Sequence, residues 1–389
     1  MFNLPDFVRH TSPSALNEYC TKQNLGIKLK EDGEADKNIA SFIKSFEALD
    51  IKAQKEVQSD FMEIGELANE KGSQMLIQKM QEANVATPKG FEDQPPHDRA
   101  IWTYLNQQNA FRSVATNFEV ENVEGWVTFR APFIDKETAI KKKDMLAKAI
   151  AGYFHIKEWR GTLCEVDVVE KDGYTCLVCH PQDYAHKEPI FDTNGKLNRS
   201  AVYQPTLKVY FLCRPDRGQL KVKAKGRLQK KTDLAATFAQ TVYEKEINST
   251  DVVKYDLSPI QEPSFTFRPL PEAGVLGADV MSLRISHKGL KSSVQITAWD
   301  KEGEGVENMR WRLKRMNLDL TDPNIEIDQI KIKVALDFEN EKLAAQRYKY
   351  QKSTVVVTLT KPATCAMKEN DLAEPIQSAL RLWKFCNEE

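Results

Sequence analysis

The spacing of apolar residues changes once along this chain, near Val120, from a helical period to a strand period. Before that point apolar residues such as Phe42 and Phe46 recur three or four positions apart, as on the buried side of a helix. After it Val127 and Phe129 alternate with their neighbours, as in a strand. The sequence therefore predicts an α+β fold: an N-terminal helical domain followed by a mixed α+β body with antiparallel hairpins.

The length of 389 residues exceeds what one hydrophobic core usually organises. Proline and glycine cluster between Pro88 and Pro96, which is typical of a linker. We therefore predict a helical domain over residues 1–90, an α+β domain over 97–260 and a second α+β domain over 261–389.

The order of predicted elements recurs in the body. A helix, a hairpin and a helix are predicted over residues 135–247, and again over 305–386. Identity between these two parts is negligible, so a duplicated helix–hairpin–helix unit is only a hypothesis.

Charge and cysteine usage narrow the functional class. The net charge of −1 provides no global attraction to nucleic acid or to an anionic membrane, so such binding would have to come from local charge. The seven cysteines are an odd number spread over a long chain, which favours reduced thiols over a disulfide scaffold. The first residues lack the pattern of a secretory signal, and no run of 18 apolar residues occurs. We expect a cytoplasmic protein that does not enter a membrane.

Cys176, Cys179 and His180 have the CxxCH spacing of covalent haem attachment. The alternation around them predicts a strand, which would place the two cysteines on opposite faces. Zinc would need four ligands, and no second CxxC completes such a set with Cys164. We expect buried free cysteines, with no metal and no other cofactor.

Glu165 and Asp167 should share one strand face, where carboxylates can hold a divalent cation for phosphodiester cleavage. A solvated or ion-paired face is the commoner explanation, because no suitably spaced lysine and further acid accompany them. The usual phosphate-loop, dinucleotide, serine-hydrolase and zinc-protease motifs are also missing from the sequence. We therefore expect a protein without catalytic activity.

The strongest functional pattern is a basic strand. Lys221, Lys223, Lys225 and Arg227 alternate strictly with small or apolar residues, which would place four cations on one strand face. Such a face would suit an anionic backbone.

The preceding segment adds to this predicted surface. As a hairpin partner, the strand over 207–214 would place Tyr210 among the cations, where it could stack on an unpaired base. Between Leu207 and Lys231 nine residues are basic and one, Asp216, is acidic. The remaining cations of this surface are Lys208, Arg214, Arg217, Lys230 and Lys231.

A second basic element is predicted on a helix whose apolar side is Met309, Leu313 and Met316. If this helix is an ordinary solvated one, Trp311 should pack inward. Its cations are Arg310, Arg312, Lys314 and Arg315.

These patterns favour a non-catalytic nucleic-acid-binding protein that uses a basic β-sheet face to contact the phosphate backbone. The alternative is an adaptor or assembly subunit that docks an acidic protein on the basic face and recruits a protein partner through the N-terminal helical domain. A metal-dependent nuclease is the third hypothesis.

Overall fold

A computed structural model describes most of the chain and divides it into two compact units. The described residues are 2–132, 136–171, 173–192, 195–290, 292–298, 305–344 and 353–386. Unit 1 comprises Met1–Glu119 and Ala185–Tyr203, and unit 2 comprises Val120–Tyr184 and Gln204–Glu389. None of the helices in this described part is long and apolar enough to cross a membrane.

Unit 1 is helical and carries one small hairpin. Its helices are α1 (Leu4–Arg9), α2 (Pro13–Lys22), α3 (Ala35–Glu47), α4 (Ile51–Leu67), α5 (Glu70–Glu82), α6 (Pro96–Asn106) and the start of α7 (Gln108–Asn122). The hairpin consists of β4 (His186–Phe191) and β5 (Leu197–Tyr203). The predicted N-terminal helices are thus confirmed.

Two helices of unit 1 begin at capping side chains. Ser12 accepts a hydrogen bond from the Ala15 N–H at 3.2 Å, and Pro13 occupies the first helical position of α2. Asp50 accepts a bond from the Ala53 N–H at 2.8 Å and begins α4. These side chains fix the ends of the helices because they satisfy amides that have no partner within the helix.

The core of unit 1 contains one shared polar contact. The Asp60 carboxylate on α4 accepts hydrogen bonds from the Tyr19 hydroxyl at 2.7 Å and the Tyr104 hydroxyl at 2.8 Å. Burial, together with these bonds to Asp60, raises the pKa of both phenols far above the ordinary value. Asp60 therefore connects α2, α4 and α6.

We predict that Asp60→Ala lowers the free energy of unfolding by about 1–3 kcal/mol, because it leaves two phenol hydroxyls without their acceptor. Urea denaturation would measure the loss. Glu66→Ala, at an exposed position of the same helix, is the control and should change stability by less than about 0.5 kcal/mol. Equal stability of the two variants would contradict the role given to Asp60.

The proline- and glycine-rich stretch predicted as a linker lies within unit 1. Phe91 in this stretch is buried, and its ring contacts Trp102 edge-to-face at 5.1 Å between centroids. The predicted domain boundaries differ from the two contact-defined units and stay predictions about which parts fold independently.

Unit 2 contains a ten-stranded sheet in which every neighbouring pair is antiparallel. Its strands are β1 (Trp126–Arg130), β2 (Cys164–Lys171), β3 (Tyr174–Pro181), β6 (Val209–Arg214), β7 (Gln219–Lys223), β8 (Val275–His287), β9 (Ser292–Thr297), β10 (Ile325–Leu336), β11 (Thr354–Thr360) and β12 (Thr364–Ala366). Their spatial order is β2-β3-β6-β7-β1-β12-β11-β10-β8-β9. The predicted α+β class is confirmed.

The helices of unit 2 lie between these strands along the chain, except the last helix, which follows the last strand. They are α8 (Lys136–Lys141), α9 (Lys143–Glu158), α10 (Leu228–Phe238), α11 (Glu307–Arg315), α12 (Glu341–Ala344) and α13 (Ala373–Leu382). The second strand of the hairpin predicted within residues 305–386 is observed as β11, and the described part of the chain resumes just before it at residue 353.

The helices cover opposite faces of the two halves of this sheet. In the half formed by β2, β3, β6, β7 and β1, α9 and α10 pack on the face of Val127 and Phe211, which we name face A. In the other half, α11 and α13 pack on the face of Leu283 and Ile330, which we name face B. The register makes both faces continuous, because Val127 pairs with Thr364 on β12.

The helix–hairpin–helix order occurs in both halves, but their strand orders differ. From the centre of the sheet outward, one half is β1-β7-β6-β3-β2 and the other is β12-β11-β10-β8-β9. The first half begins at the centre and moves to the edge strand β2, whereas the second begins with the hairpin at the opposite edge. The two halves therefore share the order of their elements along the chain but not the spatial order of their strands.

Candidate nucleic-acid interface

The predicted basic strand is β7, which lies between β6 and β1 inside the sheet. The Lys221 side chain is 3% exposed, and its ammonium pairs with Glu369, itself 2% exposed, at 2.7 Å. The expectation of a solvent-facing row is wrong for Lys221, because both faces of this strand are covered. Its charge is neutralised inside the protein.

The row also ends earlier than predicted. Strand β7 stops at Lys223, whose ammonium donates a hydrogen bond to the backbone carbonyl of Glu124. Lys225 lies in the following turn, and Arg227 occupies the N-cap of α10; both are exposed. Since a glycine turn follows Lys223, the four cations do not share one strand face.

The predicted hairpin partner is observed as β6, with Tyr210 opposite Lys223. Tyr210 is buried, however, and its ring contacts Trp126 edge-to-face at 6.2 Å between centroids. A base cannot stack on a ring in that position. The expected role of Tyr210 as a stacking platform is therefore wrong.

The other cations of this segment have separate environments. Arg214 lies over the Tyr174 ring at 5.7 Å, and Arg217 bonds to Gln377 and pairs with Glu374, both on α13. Lys208 is exposed at the residue before β6. These residues do not combine into one exposed basic surface.

The two adjacent lysines on α10 have different environments. Lys230 pairs with Glu158 at 2.5 Å and lies over the Phe154 ring. Lys231 is only 8% exposed. Burial lowers the pKa of Lys231, and the charge of Lys223 lowers it further.

The second basic element, α11, has one structural arginine and an exposed end. Arg310 donates to the backbone carbonyls of Pro263 and Ile260, each at 2.9 Å, so it holds the preceding loop. Arg312 donates to Asn308 at 2.9 Å. Both guanidinium groups therefore make hydrogen bonds within the protein.

Trp311 was expected to pack inward, and this expectation is wrong. Met309 and Leu313 fill the core under face B, whereas Trp311 is 55% exposed and Met316 is also exposed. The Arg315 guanidinium lies 4.4 Å from the Trp311 ring centroid, and Lys314 is exposed beside it. This helix presents a cation–aromatic pair on the side of the sheet that carries face B.

The contribution of the buried Lys221–Glu369 ion pair can be tested by measuring stability. Lys221→Met should lower the free energy of unfolding by about 3–5 kcal/mol, because it leaves the Glu369 carboxylate buried without a cation. The Oε2 atom of Glu369 has no hydrogen-bond partner in the described residues, so no other donor compensates. Guanidinium denaturation would measure the change.

The double variant Lys221→Met/Glu369→Leu is the matched control. It removes both charges and should recover most of the lost stability, since apolar residues of similar volume often replace a buried pair without cost. A single variant as stable as the unmodified protein would contradict the pairing.

A surface that the sequence reasoning missed lies on face A of the second half. Here Gln295, Arg284, Gln329 and Thr360 occupy one row across β9, β8, β10 and β11. In the next row Lys331 lies between Ser282 and Thr358. We call this surface the open face; its exposed side chains include Ser293, Gln295, Thr297, Lys331 and Val356.

Three cations occupy the middle of the open face. Lys331 and Lys333 are two residues apart on β10, about 6.6 Å along the strand, and Arg284 is diagonal to Lys331 on β8. None of the three has a hydrogen bond or ion pair within the described residues. Neighbouring like charges repel one another, so an anionic ligand would stabilise this arrangement.

Among the described residues of the open face, each acidic side chain has another contact. Asp279, opposite Lys333, accepts a bond from the Gly305 N–H at 2.9 Å. Asp328 accepts a bond from the Ser286 hydroxyl at 3.1 Å, and Glu326 lies 3.5 Å from Lys288. The centre of the face therefore keeps its positive charge.

The signal for this face was present in the sequence. Lys331 and Lys333 alternate with Ile330, Ile332 and Val334, which is the same pattern that singled out β7. The pattern contains two cations instead of four, and only the fold shows that Arg284 lies beside them.

The cysteine and carboxylate patterns behave as strand residues. Cys176 and Cys179 belong to different cores on opposite faces of β3, as predicted. Asp167 lies 3.0 Å from the Nε2 of His180 on the neighbouring strand. No cluster of metal-ligating side chains occurs among the residues that the structure describes, and none of the seven cysteines forms a disulfide.

No protein-family model matches this sequence, and no curated protein matches it significantly.

Proposed function

We propose that this chain is a non-catalytic protein that binds single-stranded nucleic acid through the open face. The observation that carries the proposal is the group of three cations, Arg284, Lys331 and Lys333, on the open face, none of which forms an ion pair within the described residues. Phosphate groups supply the charge that such a group lacks. In this proposal the protein acts in the cytoplasm.

The neighbouring side chains suit a sequence-tolerant ligand. Exposed hydroxyl and amide groups on the same face, such as Ser293, Gln295 and Thr297, can bond to phosphate or sugar oxygens. Val356 is an exposed apolar residue on the same surface. Aromatic rings for base stacking are missing from the described part of the open face, so backbone contacts would dominate.

The adaptor alternative has its own observation. Trp311, Met316, Lys314 and Arg315 form an exposed apolar and basic surface on α11, and aromatic and arginine side chains are typical anchors of protein interfaces. An acidic protein segment would fit it. The two hypotheses therefore concern opposite sides of the same sheet.

Fluorescence anisotropy with a labelled single-stranded oligonucleotide tests the proposal. If all three cations contact phosphates, the logarithm of affinity should fall with the logarithm of salt concentration at a slope of about −2, since each single-strand contact contributes about −0.7. Lys331→Gln/Lys333→Gln should weaken binding and reduce the slope to about −0.7. Glutamine is chosen in place of glutamate because a carboxylate at position 333 would lie opposite Asp279 and destabilise the strand pair.

The control is Lys314→Gln/Arg315→Gln on α11, which removes the same charge from the other side of the sheet. It should leave affinity and slope unchanged. Equal losses in both variants would mean that net charge, and not the open face, attracts the nucleic acid. Unchanged binding in the β10 variant would refute the proposal.

A further inference from the structure

Two cysteines are close neighbours on strands β2 and β3. The register of these strands pairs Cys164 with Pro181 and Val166 with Cys179. Residues two apart on a strand share a face, and so do residues that are directly opposite on neighbouring strands. Cys164 and Cys179 are therefore diagonal neighbours on face A of the first half, where both pack in the same core.

Hydrogen bonds connect the two thiols. The Cys179 thiol donates to the Cys164 sulfur, and the backbone N–H of His180 donates to the same sulfur. The Cys164 thiol in turn lies 3.5 Å from the carbonyl oxygen of Glu165. Two sulfur atoms joined by a hydrogen bond are already in contact, so little movement separates them from reaction with each other.

The two thiols have opposite acidities. The hydrogen bond from Cys179 lowers the pKa of the Cys164 thiol, although partial burial opposes this effect. Burial raises the pKa of the Cys179 thiol well above its ordinary value. The negative charge of the pair therefore lies on Cys164, and the thiolate is the form of cysteine that reacts with oxidants.

Cys164 is also the cysteine that an oxidant can reach. Of the seven cysteines, all of which lie in the described ranges of the chain, the other six are buried. Cys164 is the first residue of the edge strand β2, and it follows Leu163, which is 69% exposed. Burial raises the pKa of Cys20, Cys213 and Cys365 to about 12, so these thiols stay protonated.

A bond between the two sulfur atoms needs a small shift of the strand start. Diagonal neighbours in a regular sheet are about 7–8 Å apart, and the Cα atoms of most disulfides are separated by up to about 6.8 Å, so a movement of about 1 Å is required. Strand β2 can move in this way because it has a neighbouring strand on one side only. A disulfide formed under such strain is easily reduced again.

We propose that Cys164 and Cys179 are a redox-active dithiol that a hydroperoxide converts into a disulfide. The Cys164 thiolate attacks the hydroperoxide: an S–O bond forms, the O–O bond breaks, and the alkoxide takes up the proton that Cys164 released. Cys164 is now a sulfenic acid. The Cys179 sulfur then attacks the Cys164 sulfur, the S–O bond breaks, and hydroxide leaves as water with the Cys179 proton. This modification goes beyond the proposed function, because the pair does not belong to the open face.

Peptide mapping of the full chain after treatment with hydrogen peroxide tests the proposal. Mass spectrometry of the unreduced digest should show one linked peptide pair, which joins Cys164 to Cys179 and disappears after dithiothreitol. Oxidation of Cys164 to a sulfinic acid without any linked peptide would overturn the proposal, and so would a protein in which all thiols stay reduced.

A substitution of the buried partner separates the two steps. Cys179→Ala removes the second thiol, so the sulfenic acid of Cys164 should accumulate and be trapped by dimedone. The pH midpoint for alkylation of Cys164 by iodoacetamide should also rise, because the hydrogen bond that lowers its pKa is lost. Cys176→Ala is the matched control on the opposite face of the same strand. It should keep both the linked peptide and the pH midpoint, and equal behaviour of the two variants would contradict the pairing.

Timed alkylation of the unmodified protein needs no substitution, so it tests the proposal even if a variant fails to fold. Iodoacetamide at neutral pH should label Cys164 at least about 10-fold faster than any other cysteine, because it is exposed and the most acidic. Equal labelling rates, or faster labelling of a buried cysteine, would refute the role of Cys164 as the reactive thiol.

Discussion

The continuity of the ten-stranded sheet is the constraint on which the rest of unit 2 depends. Because side chains alternate across every strand, the pairing of β1 with β12 makes face A and face B common to both halves. The first half buries face A under α9 and α10, and the second buries face B under α11 and α13. The two halves therefore have separate hydrophobic cores, which lie on opposite sides of the same sheet.

Polar contacts connect the halves where the cores change sides. The Lys221–Glu369 pair links β7 to the segment after β12, and Arg217 at the end of the β6–β7 turn contacts α13. Such buried pairs contribute little net stability compared with apolar packing, but removing one partner is costly. Basic residues that suggested a ligand surface are therefore part of how the protein holds its two cores together.

The same arrangement determines which face of each half of the sheet reaches solvent. A strand inside the sheet is solvent-accessible only where its face lacks a helix, and on the second half that is face A. Arg284, Lys331 and Lys333 occupy this surface, and Trp311 with Arg315 occupies the side of α11 that faces away from the core. Whether a cation of the sheet reaches solvent therefore depends on which half carries it, and not only on the strand pattern.

The sequence predicted the elements well because their signals are local. The change of period near Val120, the caps at Ser12 and Asp50, and the strand placement of Cys176 and Cys179 all follow from neighbouring residues. Burial of Lys221 and Tyr210 could not be predicted in this way. It depends on strand order, and the β7–β1 and β1–β12 neighbours come from distant parts of the chain.

The end of β7 at Lys223 has a local signal in the sequence, but the alternation of basic and apolar residues continues past it. Gly226 follows closely, and glycine inside an alternating segment indicates a break or a close approach of the backbone. The alternation continued through Arg227 in the sequence, although the backbone had already left the sheet. The position of Gly226 therefore indicates that Lys225 and Arg227 do not belong to the strand.

Lysine footprinting tests the central claim most directly. The protein would be treated with an acetylating reagent, with and without a saturating single-stranded oligonucleotide, and the modified lysines would be quantified by mass spectrometry. We predict that the nucleic acid protects Lys331 and Lys333, while Lys314 on the other side of the sheet keeps its reactivity. Protection of Lys314 with unchanged reactivity of Lys331 and Lys333 would contradict the assignment of the open face as the nucleic-acid interface.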